Sequence, residues 1–422
     1  MANNTLKLGF SYFSSKDYLL ERHMQSWFPA IKKWGGTFVI LTVNYKSVIP
    51  EDVFINTRNC GLEPMLHFNI PLPSLRTFND CAPLLELYKK WGANYVILGD
   101  QPNIRETWQA AGWHEDTLVD QFLDRFIPLA NHAVKIGLRP IMAPLKPGGD
   151  YWDCAFMELA LSGLKQRKLH HVLDALILSS YGYTYQKPLS WGEGGPERWP
   201  GSKPYQTPEG QEDQIGFNNF AWVQAESQRV TGKKMSVIIL DAGNPGLFTE
   251  GLSDQNFVGI LGKIITACKR PLTSESDLES EAPVFNEQVL GCSFSLDTLK
   301  QFLRSEFSLE GLGPIFMQGK SLKAKPKFKV DDQKLFDHYL LLPSYASGVS
   351  DAVWEKVRPV IKKYQPTIGF SLDEALHASK VSIFPDPVRF TDEHYQQLRT
   401  AGCDVEILPQ SGIEIATILQ DE

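Results

Sequence analysis

KKWGGTFVIL, Lys32–Leu41, returns almost letter for letter as KKWGANYVIL, Lys89–Leu98. Each copy reads as the end of a helix, a glycine able to take the left-handed cap, and a buried strand. The cap candidates are Gly35 or Gly36 in the first copy and Gly92 in the second. The copies lie two strand-helix units apart, the spacing expected of alternate strands in a closed barrel. Convergence on a common helix-turn-strand composition accounts less well for an echo of this length.

The same beat extends in both directions. Apolar runs at 7–12, 37–43, 63–70, 94–100, 138–145, 174–181, 235–242 and 288–296 read as strands. The intervals carry helical periodicity, as in LLERHMQSWFPAIKKW, APLLELYKKW, LVDQFLDRFIPLANHAVKIG, FMELALSGLKQRK, NNFAWVQAESQRVTG and NFVGILGKIITACK. Eight buried strands alternating with helices predict an α/β protein, a (β/α)8 TIM barrel over residues 1–315. A doubly wound open sheet is the rival, disfavoured because eight units precede any shift in composition. The basic stretch GKSLKAKPKFKVDD reads as part of a linker over 316–335. Beyond it the beat restarts at 338–343, 367–372, 380–385 and 404–409. That pattern predicts a small three-layer α/β domain over 336–422, of the Rossmann or flavodoxin-like kind. It carries no G-x-G-x-x-G or G-K-[ST] loop, so a structural or protein-binding role is expected of it rather than nucleotide binding.

The bulk numbers narrow the classes of function. A chain of 422 residues exceeds the usual span of one core, which suits one large domain plus a smaller one. The net charge of −7 supplies no basic field for nucleic acid or an anionic membrane surface. Six scattered cysteines show no zinc or redox spacing, so no metal and no cofactor is expected, and reduced buried thiols are. No apolar segment is long enough to span a bilayer, and the start MANNTLKLGF has no signal-peptide pattern, which makes the cytoplasm the default expectation. Ten tryptophans and 11% aromatic residues, several in loops, suit flat ligand faces such as sugar rings.

In a barrel of this type the chemistry sits where strands end. Strand three offers His67; strand four Asp100, Gln101 and Asn103; strand five Lys146, Asp150 and Asp153; strand six Tyr181 and Tyr183; strand seven Asp241 and Asn244. The long Gly-, Pro- and Trp-rich stretch from Gly182 to about Phe217 adds Trp191 and Glu193 as a lid or sugar platform. Each residue also has a plain reading: an Asp at a strand end is commonly a helix N-cap, His67 a core histidine, Tyr183 rim packing. Two acids, Asp100 and Asp241, ending strands that face each other raise the chemical reading, since paired carboxylates divide the duties of glycoside hydrolysis.

With those strand ends in view, ILGDQPN resembles the strand-four motif of clan A glycoside hydrolases, which ends in Asn-Glu-Pro-Asn with Glu as acid/base. IILDAGNPG is similar to their strand-seven motif, whose Glu is the nucleophile, and LILSSYGYT to the strand-six segment that brings a His or Tyr. The resemblance covers roughly residues 5–310 and implies a carbohydrate substrate. Position by position, the motif Asn falls on Asp100, the acid/base Glu on Gln101 and the nucleophile Glu on Asp241, while Gly182 stands where a His is common. A glutamine amide does not titrate in water, so it cannot act as the general acid. One expectation is therefore a working glycosidase with Asp100 as acid, Asp241 as nucleophile or base, Glu193 as substitute for either, and Gln101, Asn103, His67, Tyr181, Tyr183, Trp191 and Asn244 binding sugar. The alternative is a carbohydrate-binding or envelope-interaction protein that has lost hydrolysis, its C-terminal domain engaging a protein partner. A metal-dependent hydrolase is a third, for which the strands lack a ligand set.

Overall fold

The computed structural model describes residues 7–44, 47–70, 72, 77–108, 112–246, 254–269, 283–304, 307–318, 334, 336–343, 349–387 and 389–409. The chain divides into two compact units, Met1–Ala324 and Lys325–Glu422.

The first unit is the eight-stranded barrel. Its strands are β1 Lys7–Ser11, β2 Phe38–Asn44, β3 Glu63–Asn69, β4 Tyr95–Leu98, β5 Arg139–Met142, β6 Leu178–Tyr181, β7 Val237–Leu240 and β8 Val289–Ser295. All pairings are parallel and run β5-β4-β3-β2-β1-β8-β7-β6. The ring shuts at the β5–β6 seam through a parallel bridge between Ile141 and Ile177, with the Met142 N–H donating to the Ile177 carbonyl at 2.8 Å. Alternation along each strand then sorts side chains into two layers. Phe38, Ile40, Met65, Ile97, Ile141, Ile177, Ile238 and Leu240 fill the interior. Phe10, Val39, Leu41, Leu66, Phe68, Val96 and Leu98 face outward into the helix layer.

The repeat that opened the sequence does what its composition dictates. The helix Glu21–Lys33 buries Met24, Trp27, Phe28 and Ile31 along one stripe and carries Lys32 and Lys33 in its last turn, where cations suit the dipole. Gly35 follows at φ +96° and β2 begins three residues later. The helix Thr77–Lys90, Gly92 at φ +103° and β4 repeat the arrangement. Sequence periodicity predicts no helix in the β2–β3 interval, yet Glu51–Asn59 forms one that buries Val53, Phe54 and Thr57. Its short stripe, broken by Asn and Arg, gave too little period to read.

In the second unit, strands β9 Phe336–Leu341, β10 Thr367–Gly369, β11 Ala378–Ile383 and β12 Asp404–Ile407 pair in parallel in the order β10-β9-β11-β12. That order is the start of the doubly wound pattern of flavodoxin-like sheets. Leu340 and Leu342 pack with Val357 and Val360 of the helix Asp351–Tyr364 on one face. Tyr339, Leu341, Val381 and Ile383 pack with Leu398 of the helix Asp392–Thr400 on the other, completing three layers. Most of the expected linker, 319–333 and 335, lies outside the described residues, as does 270–282 before β8.

Candidate functional site

A cavity of about 280 Å³ opens at the C-terminal end of the barrel. Seven strands feed it: Ser11 from β1, Thr42 from β2, His67 and Asn69 from β3, Asp100 and Gln101 after β4, Tyr181 and Tyr183 from β6, Leu240 and Asp241 from β7, and Ser295 from β8. Parallel strands in a barrel end in one plane, so residues far apart in the chain converge there.

The turn after β4 is pinned by its backbone. The Gly99 N–H donates to Phe68 O at 2.8 Å and the Gln101 N–H to Pro144 O at 2.9 Å. Gln101 sits at φ +43°, a conformation that costs a non-glycine residue roughly 1–3 kcal/mol. Asn103 is fully buried; its Nδ2 donates to the Lys146 and Tyr151 carbonyls at 2.9 and 3.0 Å, and its Oδ1 accepts from the Lys146 N–H at 2.9 Å. Asn103 therefore braces the β4 turn against the β5 loop and has no amide atom left for a sugar, which corrects its expected binding role. Asp100 is no N-cap either. The short helix Arg105–Trp108 takes its first amide bond from Asp150 Oδ2 at 2.8 Å, and Asp100 faces the cavity.

Across the cavity, Asp241 also sits in the left-handed region, at φ +48°. Its Oδ2 accepts from Asn244 Nδ2 at 2.6 Å, while Asn244 Oδ1 accepts from the Gly246 N–H at 2.8 Å. The residue as a whole is half-buried, yet Oδ1 is closed to solvent and has no hydrogen-bond partner. Burial pushes its carboxyl up to about 6. The Asn244 amide and the nearby Thr298 hydroxyl oppose that shift, and the charges of Asp297 and Asp100 add to it. Asn244 thus holds a carboxylate rather than a sugar.

Between the two acids lies a pair of tyrosines. The Tyr181 hydroxyl donates to Asp100 Oδ1 at 2.5 Å, and its ring stacks on Tyr183 with centroids 4.6 Å apart. Burial, then the charge of Asp100, drives the Tyr181 hydroxyl well above its ordinary range; burial, then Asp241, does the same for Tyr183. Both remain protonated donors at neutral pH. Gly182 between them, where the family resemblance suggests a His, has no room for one. An added Cβ would meet Ile239 Cγ2 at 2.8 Å and Ala242 Cα at 3.0 Å. His67 lines the cavity with its Nε2 3.1 Å from Gly99 O.

The long loop after β6 is ordered around a different acid. Asp213, nearly closed to solvent, accepts from Lys187 Nζ at 3.0 Å, Trp191 Nε1 at 2.8 Å and Thr207 Oγ1 at 2.6 Å. Trp191 is committed to that network, with Lys187 Nζ 4.1 Å from its ring centroid. Glu193 pairs with Arg198 at 3.2 Å and lines a separate recess of about 640 Å³ beside the helix Asn219–Thr231. Neither lines the barrel-mouth cavity, so the loop does not bring them to Asp100 and Asp241. Ser11, Thr42, Asn69 and Ser295 were missed in the sequence. Each is a polar residue at or near the close of an apolar strand, a signal as legible as the one that picked out Asp100.

No protein-family model matches the chain, and no curated protein matches it. Among solved structures, it is similar to a fructose-bisphosphate aldolase from Plasmodium falciparum, 10% identical over 75% of this chain and 89% of that one, with a TM-score of 0.39. A GH18 chitinase from Pseudoalteromonas aurantia is 12% identical over 68% and 93%, at 0.36. A GH39 β-xylosidase from Caulobacter crescentus is 8% identical over 69% and 62%, at 0.41. Likenesses this distant say nothing about chemistry, and an aldolase stands beside the glycosidases. The residues of the barrel mouth have to carry the function.

Proposed function

We propose that the barrel mouth takes a sugar ring and that Asp241 and Asp100 act on its glycosidic bond. The supporting observation is a pair of carboxyls in contrasting environments that line one cavity. Asp241, raised to about 6 by burial, holds a proton close to neutral pH and suits the general acid. Asp100, which accepts the Tyr181 hydroxyl, suits the anionic partner, nucleophile or base. This division reverses the one that the motif resemblance implies. Gln101, His67 and Asn69 supply neutral donors and acceptors for hydroxyls, and the Tyr181–Tyr183 pair a flat apolar face. The volume lies at the lower bound of ligand pockets, which run from about 300 Å³ upward, so one ring rather than a long chain fits it.

The test is hydrolysis across a panel of aryl glycosides of differing sugar and anomer. Turnover of one member that is lost in Asp241→Asn supports the reading; a wholly inert panel counts against hydrolysis. A binding protein without turnover is the second reading, favoured by Gln101 standing where the resemblance places an acid. Calorimetric binding of a ring that is never cleaved would select it.

The break between the two units is proposed to fall within 316–335, with the second as a separate partner-binding domain. Exposed Ile368 and Phe370, on and just after β10, support that role. No helix among the described residues is long and apolar enough to cross a membrane.

A further inference from the structure

Three shielded acids elsewhere among the described residues are compensated. Asp213 has Lys187 Nζ at 3.0 Å, and Glu226 has Arg229 Nη2 at 2.6 Å. Asp153, fully buried, lacks a cation but has both oxygens occupied: Gln214 Nε2 at 2.7 Å and the Gly148 N–H at 3.3 Å on Oδ1, Asn219 Nδ2 at 2.8 Å on Oδ2. The barrel mouth breaks this pattern. Asp100 and Asp241 both line it, and the side chains that meet their carboxyls are neutral: Tyr181 at Asp100, Asn244 and the nearby Thr298 at Asp241. The charge of Asp297 also acts on Asp241. None of the described residues that line the cavity is Lys or Arg.

Two acids lining one cavity with no cation among the residues that line it set up a negative field there, which a positively charged ligand offsets on binding. Stacked aromatic rings add attraction for a cation on their faces. No group of three metal-ligating side chains is present among the described residues, so an organic ammonium suits the geometry better than a metal ion.

We infer that the mouth selects a sugar ring carrying a protonated amine, an amino sugar, over the neutral, N-acetylated or acidic counterparts of the same ring. This rests on the carbohydrate reading proposed above and specifies its substrate class. The ammonium pairs with Asp100, in the negative field that Asp241 and Asp297 share, while ring hydroxyls go to His67, Asn69 and Gln101.

Calorimetry at neutral pH tests it with glucosamine and galactosamine, each beside its N-acetyl, unsubstituted and uronic counterpart. Charge-assisted hydrogen bonds are roughly twice as strong as neutral ones, so the amine should bind about tenfold tighter or more than the N-acetyl and unsubstituted sugars. The uronic acids should bind weakest. In Asp100→Asn the preference for amine over parent sugar should fall to within about threefold, and in Asp297→Asn by a smaller factor, in line with the loss of one nearby charge. The wild-type comparison needs no variant, so a folding defect in either mutant leaves the test intact. Parent sugars that bind as tightly as the amines would overturn the inference and leave the carbohydrate reading standing. An aliphatic amine with no ring that binds as tightly as glucosamine would overturn both. So would a panel in which no sugar binds and no aryl glycoside is cleaved.

Discussion

Asp153 and Asp241 both follow barrel strands, and burial pushes both carboxyls up to about 6. Their surroundings part them. Asp153 lies under the β5 loop with every oxygen bonded, and Asn219, which donates to it, accepts in turn from Ser180 on β6 at 2.7 Å. It is a tie between strands and loop. Asp241 lies at a cavity, on strained backbone, with one oxygen idle. A raised carboxyl is therefore not in itself a mark of chemistry. What separates the brace from the acid proposed to react is whether the surrounding donors are complete.

Substitutions at the two positions should split along that line. Asp241→Asn should lower hydrolysis of any aryl glycoside the wild type cleaves by about 10²–10⁴-fold, the usual contribution of a general acid, with no loss of thermal stability. Asp153→Ala strands Gln214, Asn219 and the Gly148 N–H in the interior, and denaturant unfolding should show a loss of about 3 kcal/mol. If Asp153→Ala were silent in stability and Asp241→Asn destabilising, the contrast would be reversed.

Stability against pH sharpens the same comparison. Each carboxyl releases its proton near pH 6 in the folded chain and near pH 4 when unfolded. Between those values the folded chain binds more protons, so the contribution to stability is fully present below about pH 4. It is lost as pH rises through 6, on the order of 2 kcal/mol for each group. Unfolding measured from mildly acidic to neutral pH should show this decline, and Asp241→Asn should remove one share of it.

Smaller effects concern the frame of the mouth. Gly182→Ala drives a methyl against Ile239 and the Ala242 backbone, and the melting temperature should drop by the equivalent of about 1–3 kcal/mol. Tyr181→Phe removes the hydroxyl that meets Asp100 and should cost about 1 kcal/mol in denaturant unfolding.

The barrel was legible because each strand is a short apolar run between amphipathic helices, and the Lys-Lys-Trp-Gly echo fixed the register of helix, cap and strand at two places. The site was legible only in part. Asp100, Asp241, Tyr181 and His67 announce themselves as polar groups where apolar strands stop. Whether such a group faces the cavity or the protein depends on loop geometry that no local pattern encodes. Asn103 lies three residues beyond Asp100 and is spent on the β5 loop. Trp191 and Glu193 looked like a platform because the loop is aromatic, but Asp213, 22 residues beyond Trp191, takes the indole for itself. The division of duties between the acids was not readable from the motif either. The proposed division rests on burial and on donors such as Tyr181, which reaches Asp100 from another strand.

The most direct test is the carboxyl carbon of Asp241 followed by NMR through a pH titration, assigned by its disappearance in Asp241→Asn. The expected result is a midpoint near 6 in the free protein that moves when a sugar ring from the binding panel is added. A midpoint in the ordinary carboxylate range near 4, unmoved by every ring, would contradict it.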